Sequence, residues 1–442
     1  MRRRAGYTSL AVLGLLASAG VARAQAPSAT AAPAPEREYQ VLVASESTDE
    51  IALVAFGPAG SRVVRKIPIG LRPSEPDGPH GLAVSPDGRF FYSTTAHGLP
   101  FGTLWKFDVA TGEAVGQVEL GNFPASMQLT PDGAMAFVVN FNLHGDMVPS
   151  TVSVVATGPM LEIARIETCT MPHGSRLTRD GRKHYSTCMM DDLLVEIDTH
   201  TLEVSRHFHV GAGNEHGGAG APGKEEGKEH GDHHAAHHPP AAPAGAPSPA
   251  PAVAPAVAPA VAPAVAPAVA SAVAPGATPA ATPAAAPAHD AATHAAATCS
   301  PTWSVPSASG DRIWVACNKS DEIVEVDGGT WALRRRLAAG PGVYNVAVTS
   351  DSRMLVATNK RGQSVSLIDV GSGKELARIP TLRRIVHGVT ISPDDRYAFI
   401  SVEGIGSEPG TVEMIDLQRR ARVTSADVGQ QAGGIDLLPG GG

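Results

Sequence analysis

Most of the chain alternates short apolar runs with compact polar turns. One unit recurs. It has an apolar strand, a turn of the S/T-x-D-G type, a second strand rich in β-branched and aromatic residues, a third strand ending in Asp, and a final strand. The first half of the unit reads PHGLAVSPDGRFFYSTT, FPASMQLTPDGAMAFVVN, MPHGSRLTRDGRKHYSTC, VYNVAVTSDSRMLVATN and VHGVTISPDDRYAFISV. The third strands read TLWKFD, LLVEID, EIVEVD, SVSLID and TVEMID. Alternation at period two, bounded by these turn residues, predicts antiparallel β-structure.

The turn aspartates Asp87, Asp132, Asp180, Asp351 and Asp394 are spaced by 45, 48, 171 and 43 residues. The long interval contains residues 212–298, a His-rich and then Ala-Val-Ala-Pro segment of 87 residues. Without it the interval falls to twice 42, and a degenerate copy emerges from Cys299 onward. Four strands per 42–48 residues is the length of a propeller blade. Gln40–Gly70 supply three further strands without an inner one, and Gly433–Pro439 supply a lone inner strand. The expected fold is therefore all-β, a seven-bladed β-propeller with one blade shared by both termini.

The expected organisation follows. Residues 1–24 read as a secretory signal, from Arg2–Arg4, the apolar Leu10–Val21 and Ala22-Arg23-Ala24. Residues 25–37 read as a flexible tail, and 38–211 as blades one to four. Residues 212–298 read as a disordered linker, because dense Pro with Ala and Val cannot offset ordering entropy. Residues 299–442 read as blades five to seven with the closing strand. Export predicts a periplasmic or secreted protein, and no other segment is long and apolar enough to span a membrane.

The units resemble the YVTN-type β-propeller repeats of exported bacterial proteins, through the motif that reads FVVN at Phe137–Asn140 and VATN at Val356–Asn359. The resemblance covers nearly all of the chain outside the signal and linker. It implies the propeller fold and leaves function open, since similar propellers serve as binding scaffolds, lactonases and cofactor-holding redox domains.

A net charge of −8 argues against a nucleic-acid or anionic-membrane surface. A closed propeller hides its own edges, so monomer is the default.

The position seven residues before each turn aspartate opens the inner strand at one end of the channel, the top. Round the ring it reads Gly433, His80, Ala125, His173, Trp303, Tyr344 and His387, with Arg176 close to His173. Such a mouth suits a metal, a haem or an anionic ligand. The four cysteines also repeat. Cys169 and Cys299 lie at inter-blade connections, and Cys188 and Cys317 at the ends of second strands. They fit two disulfides, Cys169–Cys188 and Cys299–Cys317. The rival reading is a soft-metal site with Met171, His173, Met189 and Met190, favouring copper over zinc. His230, His233, His234, His237 and His238 in the linker add a compositional metal signal.

The leading expectation is an exported, non-catalytic binding protein. Its partner is copper, zinc or a metal-bearing periplasmic protein at the top face. One alternative is an enzyme on the same propeller, either a cofactor-holding oxidoreductase or a lactonase-like hydrolase with an acid–base set such as His387 with Glu403. Another is a scaffold for protein or polysaccharide.

Overall fold

The computed structural model describes residues 32–70, 76–96, 101–216 and 298–440. Seven antiparallel sheets follow one another round a central channel. Blade one pairs Ala432–Leu437 with Tyr39–Ser45, so strands from the two ends of the chain close the ring. The inner strands of blades two to seven are Pro79–Val84, Pro124–Leu129, Pro172–Leu177, Pro301–Pro306, Val343–Val348 and Val386–Ile391. Second strands are buried almost throughout, whereas outermost strands such as Ala114–Glu119 alternate between exposed and half-buried positions. This burial explains the continuous apolar reading of the second strands. Each is covered on both faces by neighbouring blades.

The turns that carry the repeat have a common chemistry. In blade two the Ser85 hydroxyl donates to Asp87 at 2.6 Å, and the same carboxylate accepts the Arg89 amide at 3.0 Å. Thr130–Asp132, Thr178–Asp180, Thr349–Asp351 and Ser392–Asp394 repeat the hydroxyl bond. In blade five Ser307 reaches Asp311 instead, which is why that copy reads as degenerate.

Close to the channel mouth each inner strand bulges against its second strand. The freed backbone amides are taken up by hydroxyls of the second strand. Gly81, Gly174, Asn345 and Gly388 donate to Thr94, Thr187, Thr358 and Ser401 at 2.8–3.0 Å. Several hydroxyls then donate onward to the next blade. Thr187 reaches the Thr302 carbonyl at 2.7 Å and Thr358 the His387 carbonyl at 3.0 Å. Ser126, Thr302 and Ser401 likewise bond the carbonyls of His173, Tyr344 and Gly433. Neighbouring inner strands are so close that a Cβ on Gly174 or Gly388 would sit 2.8 Å from the next strand's carbonyl oxygen.

Two expected boundaries shift. The tail is not free from Ala32 onward: its amide bonds the Arg422 carbonyl, and Arg37 pairs with Asp394 at 2.8 Å. The chain also continues past residue 211 as a fifth strand of blade four, Asn214–His216. Where it returns, the Asp192 carboxylate accepts the amides of Thr298, Cys299 and Ser300. Residues 1–24 and most of 212–298 lie outside the described residues. No helix among the described residues is long and apolar enough to cross a membrane.

The hydroxyl bridges predict a specific cost. Thr187→Val keeps the shape but strips the Gly174 amide and the Thr302 carbonyl of a buried partner. Urea unfolding should show a loss of about 2–4 kcal/mol, whereas Thr187→Ser should lose under about 1. Equal losses in the two variants would show that packing, not the hydroxyl, is what matters there.

Candidate functional site

The ring positions do converge at the mouth. The His80 ring lies 5.4 Å from His387, which lies 4.9 Å from Tyr344, which lies 5.3 Å from His173. One position is corrected. The hydroxyl from blade four reaches the Thr302 carbonyl, so Thr302 holds the ring position of blade five. Blade five has one residue fewer between its cysteine and its turn than blade four, which places Trp303 one step down the strand. Trp303 still meets His173 edge-on at 5.6 Å. Ala125 contributes no polar group and packs with Phe123 and Phe141.

His173 is fixed on both sides. Its Nδ1–H donates to the Thr302 carbonyl at 3.0 Å, so its Nε2 accepts the Tyr344 hydroxyl at 2.8 Å. Burial, then the nearby His80 and Lys360, push His173 down to about 3. Burial, then Lys360, also holds His387 well below the ordinary imidazole value. Both rings are neutral at physiological pH. Tyr344 is pushed up by burial.

Two polar pairs border these rings. Lys360 Nζ lies 2.9 Å from Glu403 and 4.3 Å from the centre of the Tyr344 ring. Tyr344 and Glu403 raise the Lys360 pKa against the effect of burial. Glu403 also stands 3.9 Å from His387 Nε2, near it but beyond hydrogen-bond reach, and its bonded partner is Lys360. On the other side, His80 Nδ1 lies 3.2 Å from Glu46. Sequence reasoning missed Glu46. It directly follows the second strand of the closing blade, the position that Lys360 and Glu403 hold in blades six and seven, and its amide bonds the Gln431 carbonyl as theirs bond the carbonyls of Gly342 and Ile385. His80, Glu46, Glu403 and Lys360 keep 13–30% side-chain exposure, whereas His387 keeps 4%. A ligand entering the mouth meets these two pairs before the buried rings.

The soft-metal arrangement is not what the structure builds. Cys169–Cys188 and Cys299–Cys317 are disulfides, with Cα–Cα distances of 5.9 and 4.6 Å, so none of the four sulfurs is a thiolate. The first ties blade three to blade four. Met171 and Met189 pack against the cluster of Phe123 and Phe141, an apolar use of thioethers, and Met190 is exposed. Among the described residues no group of three or more His, Cys, Asp or Glu could hold a metal ion. His230, His233, His234, His237 and His238 lie outside them, and the copper or zinc expectation now rests on that tract. Arg176 is not at the mouth. It lies three residues down the strand from His173, inside the channel, over Trp303 at 4.6 Å.

No protein-family model and no curated protein matches the chain. Solved structures do. The periplasmic gluconolactonase of Pseudomonas aeruginosa is similar over 91% of this chain and 99% of its own, with a TM-score of 0.58 and 15% identity. A putative 6-phosphogluconolactonase of Bacteroides fragilis covers 91% and 98%, at 0.58 and 12%. Kuenenia stuttgartiensis hydrazine synthase covers 80% and 88%, at 0.52 and 16%. At these identities the likeness establishes the propeller fold.

Buried neutral imidazoles make stability depend on pH. His184, stacked on Phe137 and bonded to Ser175 at 2.8 Å, is pushed by burial to about 3. Below its ordinary value of about 6.5 the unfolded chain binds this proton and the folded chain does not, so stability falls as pH drops from 6.5 toward 3. Between pH 7.5 and 5, His184→Gln should lose about 2 kcal/mol less than the parent in urea titrations. An identical loss would mean His184 is protonated in the folded state.

Proposed function

We propose that the channel mouth is a hydrolytic site for a small cyclic ester. The observation that carries this reading is the pairing of His80 with Glu46 beside a second pair, Lys360 with Glu403. A carboxylate that accepts the Nδ1–H of an imidazole leaves Nε2 to take a proton, which is the geometry of an oriented general base. The charge of Glu46 acts on Lys360, Tyr344 and His387, which places both pairs in one neighbourhood.

In this reading His80 Nε2 removes a proton from water as the water oxygen adds to the lactone carbonyl carbon. The Lys360 ammonium faces the oxyanion that develops. When the carbonyl re-forms, the ring C–O bond breaks, and the departing alkoxide takes the proton from His80. Glu403 fixes Lys360, and the neutral His387 and His173 wall the site without adding charge. A divalent metal is a poorer occupant, because Lys360 already supplies the cation that would repel it. Two of the similar propellers carry gluconolactonase names, which makes gluconolactones the first compounds to try.

The test is pH-stat hydrolysis of glucono-1,5-lactone and a panel of five- and six-membered lactones, each corrected for the spontaneous rate. The parent should accelerate at least one. His80→Gln and Lys360→Met should each lower kcat by about 100-fold or more, and Glu46→Gln by less. A parent no faster than buffer on every lactone would refute the reading.

A further inference from the structure

The channel continues below the imidazoles to the turn end of the inner strands, as a cavity of about 400 Å3. That is the size of a small-ligand pocket. Much of its wall is apolar, from Leu82, Met127, Val305, Val389, Ile391 and Ile435. Arg176 stands at its inner end, where it also borders the narrower void beneath the ring.

The guanidinium is weakly served there. It donates to the Ser175 carbonyl at 3.1 Å and the Asn345 side-chain oxygen at 3.3 Å. It forms no ion pair among the described residues. Asp436 lines the same cavity, but its two oxygens accept the backbone amides of Val84 and Leu437, each at 2.9 Å. Burial lowers Arg176 only to about 10, so the group stays charged at neutral pH. Trp303 lies under it, and its buried indole N–H has no partner. A guanidinium has five N–H donors in a planar fork suited to a carboxylate. Asp436 acts on it only through space, and burying a guanidinium without a hydrogen-bonded counter-charge is costly unless an anion completes it.

We propose that the lower channel binds a small carboxylic acid with a short apolar body. Its carboxylate lies on Arg176, and its chain lies along the wall of Leu82, Met127, Val389 and Ile435. The site opens at the end opposite the proposed hydrolytic mouth and does not depend on that activity. An inorganic anion would use the guanidinium and leave the apolar wall idle. A fatty alcohol would use the wall and leave the charge idle.

The experiment is calorimetric titration of the full chain with sodium acetate, butyrate and hexanoate at constant ionic strength, with sodium chloride and 1-hexanol as controls. Affinity should rise about three- to fourfold per added methylene. Arg176→Met should weaken hexanoate at least tenfold. Crystals soaked in 6-bromohexanoate should show bromine in the lower channel, a readout that holds even if the variant fails to fold. Chloride binding as well as hexanoate, no dependence on chain length, or bromine elsewhere would each overturn the proposal.

Discussion

Seven inner strands must meet round one axis, and at that distance there is no room for ordinary side chains between them. The bulge near the mouth answers this constraint. It turns one residue of each strand toward the channel and frees an amide, and in blades four, six and seven a Thr or Ser hydroxyl both caps that amide and bonds the carbonyl of the next blade. At the following position Gly81, Gly174, Gly388 and Gly434 let the neighbouring backbone approach. The same bridges that hold the blades in register therefore set the spacing of the mouth side chains. His173, Tyr344, His387 and His80 stand 4.9–5.4 Å apart because the strands beneath them cannot move.

This arrangement fixes protonation as well as position. His173 and His387 are hemmed in by neighbours and by Lys360, and lose the solvation that a positive charge needs. The charge at the mouth is carried instead by Lys360, Glu403 and Glu46. The proposed chemistry uses that division, with His173 and His387 as wall and the partly exposed His80–Glu46 and Lys360–Glu403 pairs as working groups. The lower channel follows a different logic, in which one buried guanidinium faces an apolar wall.

Much of this was legible in the chain. The turn aspartates marked the blades because their hydrogen bonds depend on a fixed local spacing. The residues seven positions earlier did converge, since the repeat keeps their register. Trp303 was displaced by one because the degenerate blade alters that count. Glu46 shares the repeat position of Lys360 and Glu403, just after the second strand, and was passed over because its blade is assembled from both ends of the chain and has no turn aspartate to mark it. Met171 and Met189 suggested soft ligands by composition. Their packing against Phe123 and Phe141 depends on contacts between blades, which periodicity does not report. The cysteines allowed two readings, and only proximity distinguishes a disulfide from a ligand pair.

The central claim is that the mouth is walled by two buried neutral imidazoles, His173 and His387, beside the pair of Lys360 and Glu403. It is tested most directly by the side-chain nitrogen-15 shifts of His173 and His387 across pH 8 to 5. The account predicts that both stay neutral throughout, with His173 in the single tautomer that carries its proton on Nδ1. A titration of either ring near pH 6.5, or averaging between tautomers at His173, would contradict it.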